Sequence, residues 1–493
     1  MSPVDAVVVG SGPNGLAAAV TLARAGLEVE VYEAQETVGG GARTLDLGLT
    51  EVGVAHDLCS AVHPLALASP FFAEFDLPAR GVEIVAPDLS YGQPLDGAPA
   101  GLAWRDLERT VADLPGGEGR DWRRLMGPLV EHHEAVLDLA LSDKRSLPRA
   151  LRSRRGIAGA LHFARALLGQ GTRAWDGQLP GRTSAALLTG VGAHAVAPMP
   201  SLGSAGTALL LGTLAHTVGW GVPVGGSQAI TDALVADLRA HGGRVHTARR
   251  IPSWRELPRA RAYLFDTTPA ALVEIWGERM PRRAARALAR FPYGAAAAKV
   301  DFVLSEPVPW RDEALGHTGT VHVGGDRAQM VEAEAAVNRG KHAPAPMVLV
   351  SDPAQVVPSR QRGGLRPLWS YAHVPAGSGR DMTEEITAQI ERFAPGFRDV
   401  VVASRSIPAS RMAEHNENYI GGDFAAGAIS AYRMLARPTP WANPYSGAIP
   451  GVYLCSSATP PGPGVHGMNG WFAALRALRQ RFGLAAAPSV APS

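Results

Sequence analysis

Two glycine clusters near the start of the chain constrain its fold more than any other feature. They lie within VVVGSGPNGLAAAVTLARAGLEVEVYEAQETVGGGART, residues 7–44. Asp5 to Val9 is a short β-branched run, residues 10–15 form a glycine-rich turn, and Leu16 to Ala25 is typical of a small-residue helix. A second strand is predicted at Val29 to Glu33. This order of strand, turn, helix and strand predicts a βαβ unit that binds a dinucleotide.

Each glycine of the first turn has its own predicted role. Gly10 allows the tight turn, Gly12 lets the backbone approach a pyrophosphate, and Gly15 lets the helix pack closely on the strand. The helix start offers free N–H groups to that phosphate, and Glu33 is placed to bind ribose hydroxyls. The predicted cofactor-binding residues of this unit are Gly10, Gly12, Pro13, Asn14, Gly15 and Glu33. The alternative is a turn that only connects core elements.

The second cluster extends the predicted binding site. Residues 38–44 follow the second strand directly, so bare backbone and one arginine can run along the rest of an extended cofactor. The predicted contacts are Gly40, Gly41, Ala42, Arg43 and Thr44. A glycine-rich surface loop is the alternative interpretation.

These two motifs resemble those of FAD-dependent oxidoreductases of the amine-oxidase and phytoene-desaturase superfamily. The other end of the chain narrows the resemblance, because GVYLCSSATPPGPGVHG, residues 451–467, is similar to the C-terminal flavin motif of bacterial-type phytoene desaturases. The resemblance extends over nearly the whole chain and implies FAD as the cofactor. It also implies an α/β fold, in which a discontinuous Rossmann-like FAD-binding domain carries an inserted α+β substrate domain.

The resemblance implies further contacts with FAD. A helix is predicted from Trp471 to Arg481, and the residues before it, Gly467, Met468 and Asn469, are expected to face the flavin ring. Backbone near Ile251 is expected to touch the adenine. Many relatives carry an acidic residue after the preceding strand, whereas this chain has Ser456 and Ser457, so Ser457 is the expected contact there.

The domain boundaries follow from the same comparison of motifs. The FAD-binding domain is predicted to comprise residues 1–65, 221–300 and 440–493. The substrate domain is predicted to comprise residues 66–220 and 301–439.

Composition argues against several other classes of protein. The formal net charge of the 493 residues is only +2, with both signs scattered, so nucleic acid is not an expected partner. The two cysteines have no metal-type spacing, no bound metal is expected, and no secretion signal is recognisable at the first residues. These features favour a cytoplasmic protein.

Two segments have compositions compatible with an apolar partner, one with an apolar substrate and the other with a membrane surface. Residues 183–231 contain no Asp, Glu, Lys or Arg, which suits either an apolar substrate wall or simple core packing. Residues 149–170 mix arginines with leucines, which is typical of a surface helix and also compatible with peripheral contact with a membrane.

The predicted reaction is removal of hydride and a proton from an apolar or conjugated organic substrate, as the resemblance to desaturases implies. Candidate catalytic residues are His63, Tyr371, His373 and His466, each able to handle a proton. The electron acceptor is expected to be oxygen or a quinone. Alternatives are an amine oxidase, an isomerase or saturase, and a non-catalytic flavin-binding protein. The oligomeric state is left open.

Overall fold

The glycine turn connects the first strand to the first helix in the computed structural model, which describes residues 3–492. The strands are β1 (Val4–Val9), β2 (Val29–Tyr32), β3 (Thr44–Asp46), β4 (Ala55–Asp57), β5 (Ile84–Val85), β6 (Leu89–Leu95), β7 (Ala98–Trp104), β8 (Val222–Pro223), β9 (Arg244–His246), β10 (Ala260–Phe265), β11 (Ala296–Leu304), β12 (Thr320–Val323), β13 (Val348–Ser351), β14 (Arg366–Val374), β15 (Val401–Ile407) and β16 (Val452–Leu454).

Helices cover both sheets. They are α1 (Pro13–Arg24), α2 (Pro64–Ala68), α3 (Pro70–Phe75), α4 (Leu107–Asp113), α5 (Glu118–Glu131), α6 (His133–Ala140), α7 (Arg154–Gln170), α8 (Trp175–Gln178), α9 (Arg182–Gly192), α10 (Leu202–Ala215), α11 (Gln228–Ala240), α12 (Pro269–Trp276), α13 (Arg282–Ala289), α14 (Arg327–Asn338), α15 (Pro353–Val356), α16 (Thr383–Phe393), α17 (Phe397–Val400), α18 (Ala431–Leu435) and α19 (Met468–Ala477). No helix within residues 3–492 is long and apolar enough to cross a lipid bilayer.

The first sheet brings the two ends of the chain together. Its strand order is β16-β10-β1-β2-β9, and every neighbouring pair is parallel. The N-terminal strand β1 is therefore separated from the C-terminal strand β16 by β10 alone. Helices α1 and α19 pack so closely that a Cβ at Gly470 would collide with the backbone of Asn14. This packing fixes the C-terminal segment beside the glycine turn.

The second sheet has seven strands in the order β15-β11-β14-β13-β12-β6-β7. Its neighbouring strands are antiparallel except for β6 and β12, which are parallel. One face packs on α16 and the other faces the first sheet and a layer of helices that includes α9 and α10. The predicted boundary at residue 300 falls inside β11, a strand of this second sheet.

The α/β fold class predicted from the sequence is confirmed. Boundaries differ by a few residues: the helix predicted at Leu16 to Ala25 is α1, and the helix predicted from Trp471 begins earlier, at Met468. The uncharged segment forms α9 and α10, and α9 is buried along almost its whole length.

Candidate functional site

One cavity of about 900 Å³ lies between the two sheets and extends to the helical layer. Its lining has three parts. The nucleotide end, at the carboxyl ends of the parallel strands, includes Gly10, Gly12, Glu33, Ile251 and Asp266. The central region includes Cys59, His63, Lys299, Trp369, Tyr371 and Phe424. The apolar end includes Phe163, Leu167, Leu202, Leu210, Leu211, Trp220, Met434 and Leu435.

The first glycine turn lines the nucleotide end with bare backbone. Gly10 has a φ of +96°, and a Cβ there would lie 2.8 Å from the carbonyl oxygen of Asp266. A Cβ at Gly12 would lie 2.5 Å from Asp266 Oδ2. No side chain caps the start of α1, and its first turn contains no acidic residue. The helix start therefore presents N–H groups and a positive dipole end toward the cavity.

Glu33 is held in place at the end of β2. Its Oε2 accepts hydrogen bonds from Ser11 N at 2.9 Å and Ser11 Oγ at 2.6 Å, and its Oε1 accepts one from Gln35 N at 2.9 Å. The side chain is buried and lines the cavity. The carboxylate is thus oriented by the protein before any ligand binds.

Asp266 was not among the predicted site residues, although the sequence places it at the end of a strand. Its Oδ2 accepts a hydrogen bond from Gly15 N at 2.9 Å, which clamps the glycine turn to β10. Burial raises the pKa of Asp266 to about 7, with a smaller contribution from nearby Glu33, while the bond from Gly15 opposes the shift. Two carboxyl groups therefore lie close together beside the cavity.

Replacing Asp266 with asparagine is expected to change how stability depends on pH. The carboxyl pKa rises from an ordinary 3.8 to about 7 on folding, so the wild-type protein loses stability as pH increases between these values. The stability of Asp266→Asn relative to wild type should therefore increase with pH by up to about 1.4 kcal/mol per unit. Urea unfolding of nucleotide-free protein at pH 5 and pH 7 measures this difference. A difference that is independent of pH would contradict it.

The second glycine cluster packs directly on the first. A Cβ at Gly40 would lie 2.9 Å from Gly12 Cα, so the two turns are in contact. Gly40, Gly41 and Ala42 line the cavity. Arg43 and Thr44 lie behind the lining: Arg43 donates to the carbonyl oxygens of Gly40 and His415, and Thr44 donates to Asp57.

The C-terminal segment lines the cavity with its proline-rich loop and with residues on either side of that loop. Ser457, Gly464, Val465 and His466 are in the lining, whereas Gly467 and Met468 are not. Met468 N donates to His466 Nδ1 at 3.1 Å, and His466 Nε2 lies 3.3 Å from the carbonyl oxygen of Gly462. Both ring nitrogens of His466 are therefore engaged by the backbone, and burial lowers its pKa to about 4.

His63 lines the central region in a defined tautomer. Its Nε2 lies 2.7 Å from Ser227 Oγ, and that hydroxyl donates its only hydrogen to the carbonyl oxygen of Ser60 at 2.5 Å. His63 must therefore donate from Nε2, which leaves Nδ1 as an acceptor. That nitrogen has no hydrogen-bond partner within the protein. Burial lowers the pKa of His63 to about 4, although nearby Asp57 opposes the shift.

Of the two candidate catalytic residues on β14, only one lines the cavity. Tyr371 lines the cavity and contacts the rings of Trp369 and Phe424. His373 lies outside the lining, and its Nδ1 pairs with the buried carboxylate of Glu334 on α14. His373 therefore has a buried hydrogen-bonding partner that the local sequence does not reveal.

A buried ion pair contributes to the central region and was missed by sequence reasoning. Lys299 Nζ pairs with Asp301 on the same strand, β11, and both side chains are almost fully buried. Lys299 lines the cavity and lies 5.9 Å from the centre of the Trp369 ring. The alternating i, i+2 spacing of a strand could have suggested that these two side chains share a face.

Removing the acid of this pair is expected to destabilise the protein strongly. Asp301→Ala leaves the Lys299 ammonium buried without its partner, which should lower the free energy of unfolding by about 3 kcal/mol. The double variant Lys299→Met with Asp301→Leu should recover most of this loss. Chemical denaturation measures both changes. Glu414→Ala, which breaks the exposed pair with Arg411, is the matched control and should have little effect.

Two further histidines, the half-buried His194 and the buried His322, meet at the edge of the cavity. His194 lines it, and its Nε2 lies 2.8 Å from Nε2 of His322 on β12. Burial lowers the pKa of His194 to about 3 and that of His322 well below its usual value. One of the two nitrogens must donate and the other accept, so a single proton joins the rings.

The structure thus brings most of the predicted site residues into one cavity. Those in the lining are Gly10, Gly12, Pro13, Asn14, Glu33, Gly40, Gly41, Ala42, His63, Ile251, Tyr371, Ser457 and His466. Those outside it are Gly15, Arg43, Thr44, His373, Gly467 and Met468. Among residues 3–492, no group of three or more His, Cys, Asp or Glu side chains could hold a metal ion.

Comparison with known proteins agrees with this architecture. Residues 8–74 match the family described as NAD(P)-binding Rossmann-like domain. Putrescine oxidase, in its complex with putrescine, superimposes with a TM-score of 0.59 at 17% identity, covering 98% of this chain and 99% of the oxidase. The chain has the putrescine oxidase fold. At this identity the likeness extends to the fold alone.

Among curated relatives, one matches most of the chain at low identity and another matches a shorter segment at higher identity. Pyridine nucleotide-disulfide oxidoreductase domain-containing protein 2 of Rattus norvegicus is 22% identical in an alignment of 540 positions, which covers 94% of this chain and 92% of the relative. Hydroxyneurosporene desaturase of Cereibacter sphaeroides is 34% identical over 193 residues, covering 37% of this chain and 34% of the desaturase.

Proposed function

We propose that this protein is an FAD-dependent oxidoreductase that desaturates an apolar or conjugated organic substrate, in the manner of the phytoene desaturase family. One observation carries the proposal. A single cavity connects a dinucleotide-binding glycine turn to an end lined by leucines and aromatic rings, through a central region with buried proton-handling groups. The partial match to hydroxyneurosporene desaturase supports the same class of substrate.

The residues present fit an extended flavin nucleotide. Gly10 and Gly12 leave a cradle that a Cβ would obstruct, and Asn14 has a buried side-chain oxygen without a partner in the protein. Glu33 would hold the ribose and the start of α1 the diphosphate. The lining continues beyond this end to Ser457 and Gly464, which would adjoin the ring. This length favours FAD over a nicotinamide dinucleotide confined to the first sheet.

The chain's own residues would position the substrate and accept its proton. A bound flavin supplies hydride-accepting chemistry. His63 presents an acceptor nitrogen without a partner, so it is the group proposed to take the proton that leaves the neighbouring carbon. Tyr371 and Trp369 would hold the substrate against this region. The side chains named for the apolar end are uncharged, and Lys144, which also lines the cavity, donates its ammonium to the carbonyl oxygens of Leu139 and Ala140.

An amine oxidase is the second candidate, favoured by the fold and by the aromatic rings of Trp369, Tyr371 and Phe424. A substrate ammonium group would need a carboxylate or an open aromatic cage. The acidic residues in the lining are Glu33, Asp266, Glu274 and Glu417. None belongs to the central region or the apolar end, which favours an uncharged substrate.

Anaerobic reduction of the FAD-loaded protein separates these candidates. A C40 or C30 polyene precursor in detergent should bleach the flavin absorbance and yield a product with one more double bond, whereas putrescine or cyclohexylamine should not. Reduction by amines alone would establish the amine oxidase. A product with a shifted or lost double bond would indicate an isomerase or saturase, and protein that binds FAD but reacts with neither class would indicate a non-catalytic role. Readmitting oxygen or a quinone then identifies the electron acceptor.

A further inference from the structure

The pair formed by His194 and His322 gives the apolar end of the cavity a polar position. His194 lines the cavity, and its ring lies edge-on to that of Trp220, a side chain of the apolar end, with 5.6 Å between the ring centres. Nε2 of His194 is engaged by His322, whereas its Nδ1 has no hydrogen-bond partner within the described part of the chain. Nδ1 is therefore the atom available to a molecule in the cavity.

Local packing holds His194 in this place. It lies in a short 3₁₀ turn, Ala193–Ala195, that directly follows α9. Helix α9 approaches β12 through Gly190, where a Cβ would lie only 2.9 Å from Cβ of His322, so this glycine allows the two imidazoles to meet. The turn ends at Val196 with a φ of +44°, a conformation that a β-branched residue keeps only when its surroundings enforce it.

The shared proton of the pair determines what Nδ1 of His194 can bind. His322 is fully buried, and its ring contacts those of His194, Trp220 and Tyr91. If His322 donates between the two Nε2 atoms, His194 carries its hydrogen on Nδ1 and can donate it to a ligand. If His194 donates instead, its Nδ1 is an acceptor. A hydroxyl group suits both arrangements, because it can donate and accept.

The electrostatics of the pair favour an uncharged ligand group. Neither His194 nor His322 forms an ion pair with a carboxylate of residues 3–492. Burial lowers the pKa of both imidazoles, so the pair is neutral near pH 7. A carboxylate or phosphate would meet no positive charge here, and an ammonium group would meet no negative charge. An uncharged hydroxyl loses less hydration on entering such a site.

A second polar atom lies on the same wall. Thr320 precedes His322 by two residues on β12, so the two side chains share one face of the strand. Thr320 lines the cavity, and its hydroxyl makes no hydrogen bond to the residues that the structure describes. Leu349, which pairs with His322 across β13, also lines the cavity. A pure hydrocarbon against this wall would leave both polar atoms without partners, which costs affinity.

We propose that His194 forms a hydrogen bond with a hydroxyl group of the substrate, so that the cavity takes a long apolar alcohol in preference to a pure hydrocarbon. His322 holds the His194 ring through Nε2, and Thr320 offers a second hydrogen-bonding atom on the same wall. That this alcohol is a substrate rests on the proposed function, whereas the hydroxyl site itself does not. The apolar end would hold the hydrocarbon chain beside Trp220.

Equilibrium dialysis of the FAD-supplemented protein with a C20 polyprenyl alcohol and with the hydrocarbon of the same chain tests this proposal. Wild type should bind the alcohol at least about tenfold more tightly than the hydrocarbon. His194→Phe keeps a ring against Trp220 but removes both nitrogens, so the ratio of the two affinities should fall to about one while FAD affinity is unchanged. His317→Phe, at an exposed histidine outside the cavity lining, is the control and should keep the wild-type ratio.

Equal affinities of wild type for the alcohol and the hydrocarbon would overturn the proposal, and this measurement needs no variant to fold. A wild-type ratio in His194→Phe that still binds FAD would also overturn it. Tighter binding of the C20 carboxylic acid than of the alcohol would do the same and assign the site to an anion. Dialysis needs no turnover. The alcohol preference can fail while a hydrocarbon polyene reduces the flavin, and it can hold when no polyene does, so the two proposals fail separately.

Discussion

Replacing Gly12 with valine is expected to abolish FAD binding. The backbone at Gly12 has a φ of −64°, which valine can adopt, so the backbone itself is not strained. A Cβ at this position would lie 2.5 Å from Asp266 Oδ2, and the two further methyl groups would project into the cradle where the diphosphate is proposed to lie. The loss should exceed about a hundredfold in affinity, measured by titrating the cofactor-free protein with FAD and following flavin fluorescence.

Controls separate this effect from misfolding. Gly177→Ala adds a Cβ where no atom lies within 4 Å, so it should bind FAD like wild type. The circular dichroism spectrum of Gly12→Val should match that of the parent. Normal FAD affinity in a folded Gly12→Val protein would show that the nucleotide does not lie on this turn.

Replacing His63 with alanine is expected to lower kcat by about 10²–10⁴-fold, the usual contribution of a general base. His63 must be neutral to accept a proton. Because burial lowers its pKa to about 4, kcat of the wild-type enzyme should rise with pH through about 4 and stay constant through neutrality. In His63→Ala this rise should vanish while FAD affinity is unchanged. The pH profile distinguishes a proton acceptor from a residue that only supports the fold.

The exposed His317 gives a matched substitution, and His317→Ala should keep wild-type kcat. Tyr371→Phe tests the other candidate in the cavity lining. A large loss of kcat in Tyr371→Phe together with wild-type activity in His63→Ala would transfer the proton-handling role to the tyrosine.

The sequence predicted structure best where a short motif is required by contacts within the same segment. The glycine turn at 10–15 requires backbone that approaches its neighbours closely, so spacing alone predicted the turn, the strand before it and the helix after it. Glu33 was found in the same way, because it ends the second strand. Residues 451–467 resembled a C-terminal flavin motif, and their strand β16 joins the first sheet beside β10.

Interactions between distant segments were not predictable in this way. Asp266 meets Gly15 across 251 residues of sequence, and His194 meets His322 across 128. His373 shares a strand and a face with Tyr371, but Glu334 comes from α14 and pairs with it. No local pattern could indicate that partner. Tertiary packing therefore decided which of the candidate histidines reach the cavity.

The C-terminal helix shows how a boundary changes a predicted contact. The sequence placed its start at Trp471, whereas α19 begins at Met468 with Gly467 in the left-handed region at a φ of +69°. Because the helix starts earlier, Met468 N donates to His466 Nδ1. Residues 464–466 line the cavity in place of the predicted Gly467 and Met468. His466 accepts a hydrogen bond at that helix start and also lines the cavity, so its candidate catalytic role stays a prediction.

The flavin assignment is tested by stoichiometric binding of FAD to the purified chain, followed by anaerobic reduction with a polyene precursor. We expect one FAD per chain, a yellow protein, and bleaching in proportion to the double bonds formed. Purified protein that stays colourless when saturated with FAD, or binds NADPH in its place, would contradict the assignment of this cavity to a flavin nucleotide.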